Sequence, residues 1–236
     1  MMFQAWPVSV AQPVTIAISQ TPAGRLVVFN WNRQSTDRVV IPADGCAMVL
    51  PVEPTRVSWR DVDFSLGVGC YAQVPGGALV RGGAGLIIYS PEYIGLAQAG
   101  GPVEASGRLN YIDGCSDSLL VCPAQLGEPC LNLLHLPPGI HQSAHTHPSE
   151  RIGIILRGSG VCRTAAGDTL LQAGMFWFIP PEFVHSFHTY GDALDVLAWH
   201  PDSDFGPSHD AHPMINRTIV DGVPANDERH RGIRTT

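Results

Sequence analysis

The chain has 236 residues, 44% of them hydrophobic and 15% charged, with a formal net charge of −7 and a pI near 5.7. That length accommodates one large or two small domains, and the apolar share is that of a globular protein rather than a disordered one. All 14 basic residues are arginine and none are clustered, which disfavours nucleic acid as a partner; the absence of lysine excludes a P-loop, a Schiff-base aldolase and a pyridoxal enzyme.

Residues 1–13 carry no basic segment followed by a long apolar run, and nowhere do eighteen apolar residues follow one another. The expectation is a cytoplasmic protein without a membrane anchor. From Val14 to about Asp195 the chain is a series of short apolar runs, among them RLVVFNW, RVVIP, LIIYS, NLLHL, IGIIL and GMFWFIP. Turn formers such as ADG, PGG, PPG and AGD break them. With 25 Gly and 20 Pro, long amphipathic helices are hard to place, and many short strands point to an all-β sandwich or barrel.

The six cysteines (Cys46, Cys70, Cys115, Cys122, Cys130, Cys162) read as buried thiols, and their spacing offers no CxxC zinc clip. All ten histidines lie beyond residue 134, which assigns any imidazole site to the second half. The stretch CSDSLLVCPAQLGEP, around residues 115–128, reads as a linker. The expected division is 1–118, 119–205 and an extended tail over 206–236.

Two histidines, His145 and His147, stand two apart, and residues i and i+2 of a strand project from one face. His185 follows 38 residues after His147, beyond a Pro-Pro turn, on what should be a later strand. Three neutral imidazoles converging from two strands suit a first-row divalent metal with positions left open for water or substrate. His135, His200 and His230 are expected to be ordinary hydrogen-bonded or surface residues. His188, three residues from His185, should face away from it; His141 reads as a loop residue, and His209 and His212 form a weak HxxH in the tail. Phe176 and Phe178 occupy one strand face and Trp177 and Ile179 the other, without a sign of which is inward.

These residues resemble the cupin superfamily, whose motifs are G-x5-HxH-x3-4-E-x6-G and G-x5-PxG-x2-H-x3-N. Gly139, His145, His147 and Gly158 fit the first; Gly174, Pro180 and His185 fit the second, with Glu182 in place of its glycine. The acidic position departs. With six residues between it and Gly158, Arg151 takes the acidic position, whereas Glu150 is one residue early, and one residue reverses a strand's face. Either a bulge turns Glu150 inward as a fourth ligand, or three histidines hold the ion and Arg151 points into the pocket, where it could bind a substrate carboxylate bidentately. Earlier in the chain, Gly69, Pro75 and Gly77 repeat the opening of the second motif without its histidine, like a decayed copy of the barrel.

The resemblance implies two tandem jelly-roll barrels, the first metal-free and the second holding one divalent ion, Fe(II) foremost, with Zn, Ni, Mn or Cu as alternatives. It implies an iron(II) dioxygenase for a small anionic substrate, with a homodimer expected. Two other readings share the fold: a non-oxidative isomerase, lyase or hydrolase, and a ligand-binding cupin without turnover.

Overall fold

The computed structural model describes residues 2–9, 14–21, 24–35, 38–123, 128–201, 208, 212 and 214–233, and among these there is no α-helix. The strands before residue 101 are β1 (Gln4–Pro7), β2 (Thr15–Thr21), β3 (Gly24–Trp31), β4 (Arg38–Val40), β5 (Cys46–Pro51), β6 (Thr55–Trp59), β7 (Val62–Leu66), β8 (Tyr71–Pro75), β9 (Leu79–Arg81), β10 (Gly85–Ser90) and β11 (Gln98–Gly100). After it come β12 (Leu109–Asn110), β13 (Ser116–Val121), β14 (Cys130–Leu136), β15 (Arg151–Thr164), β16 (Gly167–Gln172), β17 (Met175–Ile179), β18 (Ser186–His188) and β19 (Leu194–His200). A short hairpin, β20 (Ile219–Val220) with β21 (Val223–Pro224), lies in the C-terminal segment between two 3-10 turns.

Two antiparallel barrels follow one another. The first combines a six-stranded sheet, β11-β8-β5-β10-β3-β2, with a four-stranded one, β4-β9-β6-β7. In the second, the sheet order is β1-β17-β15-β19-β14-β13-β12, and β16 and β18 pair with the far half of the long β15. Strands β8, β5, β10 and β3 thus hold the same places in one sheet as β17, β15, β19 and β14 hold in the other.

The large sheets pack on each other through side chains that leave alternate strand positions. Leu26 and Val28, Met48 and Leu50, and Leu86 and Ile88 from the first barrel meet Leu131 and Leu133, Ile152 and Ile154, and Phe176 and Phe178 from the second in one buried cluster. The intervening residues fill the barrel interiors: Val49, Ile87 and Tyr89 in the first, and Ile155, Trp177, Ile179 and Val196 in the second. Both faces of these strands are therefore buried. This explains why their sequences are continuous apolar runs rather than alternating ones, and it places Trp177 and Ile179 inward and Phe176 and Phe178 between the barrels.

Three stretches bear on the expected division of the chain. The stretch read as a linker carries β13, whose Ser118 pairs with Leu133 of β14. Sheet membership does not follow a division at residue 118, because β12 and part of β13 precede it, and β1, from the far N-terminus, pairs with β17 from Gln4↔Phe178 to Pro7↔Met175. The tail is not merely extended: its described part is turned by Ile215–Arg217, the hairpin and Glu228–Ile233. All six cysteines are free thiols, and among the described residues no helix is long and apolar enough to cross a membrane.

Candidate metal centre

His145 and His185 meet across an isolated antiparallel bridge, each backbone N–H donating to the other's carbonyl at 3.0 Å. His147 is fixed from the same side: its carbonyl accepts from the Glu182 N–H at 2.7 Å, which ties the Pro-Pro turn to the HxH segment. The three rings converge, with centroids 4.5 Å apart for His145 and His185, 5.0 Å for His145 and His147, and 5.3 Å for His147 and His185. One nitrogen from each ring lies within 4.8 Å of the others.

Hydrogen bonds set the tautomers. Nδ1 of His145 donates to the Ser143 carbonyl at 2.8 Å, and Nδ1 of His185 to the Phe183 carbonyl at 2.9 Å. A carbonyl only accepts, so the proton sits on Nδ1 and the Nε2 lone pair is left for a metal. Burial, reinforced by the Arg151 guanidinium and the neighbouring imidazoles, pushes the His147 pKa down to about 3. Burial also brings His185 down to about 4. Both rings are neutral near pH 7, as ligation requires, and three imidazole donors at this spacing fit a first-row divalent ion with open positions.

The trio opens onto a cavity of about 240 Å³ inside the second barrel. Its apolar wall comes from Leu134, Trp177, Ile179 and Phe187. The Trp177 indole N–H is buried with no hydrogen-bond partner among the described residues. Gly153, paired with Trp177, leaves room for the indole, since a Cβ at that position would collide with the ring.

Arg151 lines the cavity and Glu150 does not. Arg151 pairs with Ile179 in the β15–β17 register, and directly paired residues share a face. Its Nη1 is held by Ser149 Oγ at 2.5 Å and by the Glu150 carbonyl at 3.1 Å. Glu150 is only 1% exposed, yet its carboxylate falls outside the group of converging ligand atoms. No inward bulge at Glu150 is needed to build the site.

The remaining histidines divide. His135 joins Asp195 at 2.6 Å, and Arg157 holds the other carboxylate oxygen. His212 Nδ1 accepts from the Met214 and Ile215 N–H groups as a local turn. His230 donates its backbone N–H to the Asp227 carbonyl, and His209 lies outside the described residues. His141 and His188 pair with each other, away from the trio. His200 is hydrogen-bonded, with Nε2 2.7 Å from Cys130 Sγ, and it also lines the cavity.

Cys130 also reaches Asn132 Oδ1 at 3.3 Å, and Asn132 Nδ2 donates to Asp117 at 2.8 Å. Asp117, Asn132 and His200 thereby form a polar strip on the cavity wall, joined at the rim by Tyr111 and Gln142. Sequence reasoning passed over Tyr111, Asp117, Asn132 and Gln142 and read His200 as an ordinary residue. A signal was available in Asn132, the one polar residue inside the run CLNLL, since a polar side chain within an otherwise apolar strand usually has a partner or a ligand.

Comparison with known proteins agrees with this architecture. The cupin domain family profile matches residues 132–200, which span the trio and the strands around it. Among solved structures, a variant of the salicylate 1,2-dioxygenase of Pseudoaminobacter salicylatoxidans, in complex with gentisate, aligns with a TM-score of 0.61 at 9% identity over 85% of this chain and 82% of that one. A protein of Pseudomonas aeruginosa described as glyoxylate induced gives 0.61 at 15% identity over 88% and 91%. The cupin 2 conserved barrel domain protein of Leptotrichia buccalis gives 0.57 at 12% identity over 80% and 88%. No curated protein matches the sequence. The fold is of the cupin type.

Proposed function

We propose that the chain is a metal-dependent cupin enzyme, an iron(II) dioxygenase acting on a small anionic organic molecule. The observation that carries this reading is the convergence of three imidazoles on a cavity that also receives a guanidinium. Three uncharged ligands would leave the ion's positive charge intact, which would favour an anionic substrate.

His145, His147 and His185 would hold the ion, which when bound supplies Lewis acidity and one-electron chemistry. Arg151 would bind a carboxylate through charge-assisted hydrogen bonds and fix its orientation. Trp177, Ile179 and Phe187 would exclude water from the reacting group, while Asp117, Asn132 and His200 would orient its polar substituents. The first barrel would hold no ion: counting from Gly69 as from Gly174, the position of His185 is taken by Val80, buried in that barrel's apolar core.

Oxygen uptake by protein reconstituted anaerobically with Fe(II) tests the reading, with salicylate and gentisate as the first compounds because a protein of similar fold binds the latter. Uptake should require a carboxylate-bearing substrate and disappear in His147→Ala. Metal-dependent conversion without oxygen consumption would instead establish a Lewis-acid lyase, isomerase or hydrolase.

A further inference from the structure

On the other side of the strand that supplies His185, a second pair of imidazoles faces one another. His141 and His188 form an isolated antiparallel bridge, and their Nδ1 atoms lie 3.3 Å apart with ring centroids separated by 5.5 Å. That separation exceeds the usual ~2.7–3.2 Å range of a hydrogen bond from N–H. It matches the roughly 3.3 Å between two nitrogens bound at about 2.0–2.1 Å to one tetrahedral ion.

The surroundings are those of a chelate. Nε2 of His188 lies 2.8 Å from Ser186 Oγ, so that hydroxyl can accept a hydrogen bond from Nε2–H and leave Nδ1 its lone pair, as an outer hydrogen bond does for a ligating histidine. Tyr190 packs its ring edge on His141 at 5.8 Å and restricts its rotation. His141 is exposed and His188 is only 5% exposed, so an ion would reach the pair from the His141 side. The nearest cation, Arg163, is tied to Asp168 by two hydrogen bonds of 2.8 and 2.9 Å, which offsets its repulsion.

We infer that His141 and His188 form a second site, on the outer face of the second barrel, for a divalent ion of the zinc and copper class, with water completing the shell. Two protein ligands make it weaker than the inner trio. An ion there would clip the segment just ahead of the HxH residues to β18.

Titration of the chelator-stripped full chain with Zn(II), followed by a competing indicator, tests this. The wild-type protein should saturate at two equivalents, and His141→Ala, a change at an exposed position, should abolish the weaker one and keep the tighter. A wild-type chain that binds one equivalent unaffected by His141→Ala, or two that both survive it, overturns the inference. One equivalent that vanishes with His141→Ala would leave the outer pair standing and remove the inner centre instead, which separates the two readings. Should His141→Ala fail to fold, His141→Gln serves the same comparison.

Discussion

Arg151 and Ile179 are direct partners in the antiparallel register of β15 and β17, and both line the cavity that holds the three imidazoles. The shared face fixes the direction of the guanidinium, and the adjacent Glu150 departs from the strand on another course.

Replacing Arg151 by Gln should weaken binding of a carboxylate ligand such as salicylate by roughly ten- to a hundredfold, the worth of about 1.5–3 kcal/mol for a hydrogen bond to a charged group. Arg151→Lys should recover little, because an ammonium lacks the planar fork. Metal content should stay unchanged in Glu150→Gln. Calorimetric titration and elemental analysis of these variants check all three statements, and loss of the ion from Glu150→Gln would restore the carboxylate to the ligand set.

The pH dependence of the metal-free protein follows from His147 at about 3 and His185 at about 4. An unfolded imidazole titrates near 6.5, so between these limits the unfolded chain binds more protons than the native one. The contribution of these two groups is fully present above pH ~6.5 and is lost progressively as the pH falls toward 4 and then 3. Thermal midpoints of chelator-treated protein should decline across that window, and His147→Gln should flatten the slope. Added divalent metal should raise the midpoint at neutral pH by binding the native state alone.

Phe176 is fully buried in the cluster between the barrels, stacked on Trp6 with ring centroids 5.3 Å apart. Truncation to Ala should cost about 3–5 kcal/mol, the usual range for an aromatic removed from a core. Because this cluster belongs to both barrels, denaturant unfolding should stay a single transition in the wild type and split or broaden in the variant. Fluorescence and circular dichroism curves that coincide in Phe176→Ala would show that the barrels do not depend on this contact.

The imidazole trio was readable because its parts are local: two histidines of one parity, and a third after a Pro-Pro turn. Which of Glu150 and Arg151 lines the cavity was not readable, since it turns on one residue of register, visible only in the pairing of Arg151 with Ile179 of β17. Nor could Phe176 be told from Trp177, because a strand covered on both faces shows no alternation. His200 looked ordinary for a different reason: its partner Cys130 is on another strand, and only the β14–β19 register brings the two together. The stretch around Ser116 misled because its polar side chains, on a strand near the sheet's edge, mimic the composition of a connection.

The pairing of β1 with β17 has a consequence for how the molecule is made. Strand β1 finds its neighbour only after about 170 further residues have been synthesised, a span whose closure is slow and entropically unfavourable. Until then the edge segment Gln4–Pro7 waits unpaired beside a first barrel that can already form. A tag or fusion placed at the amino terminus would therefore burden the assembly of the later barrel, at the opposite end of the polypeptide from the one it was attached to.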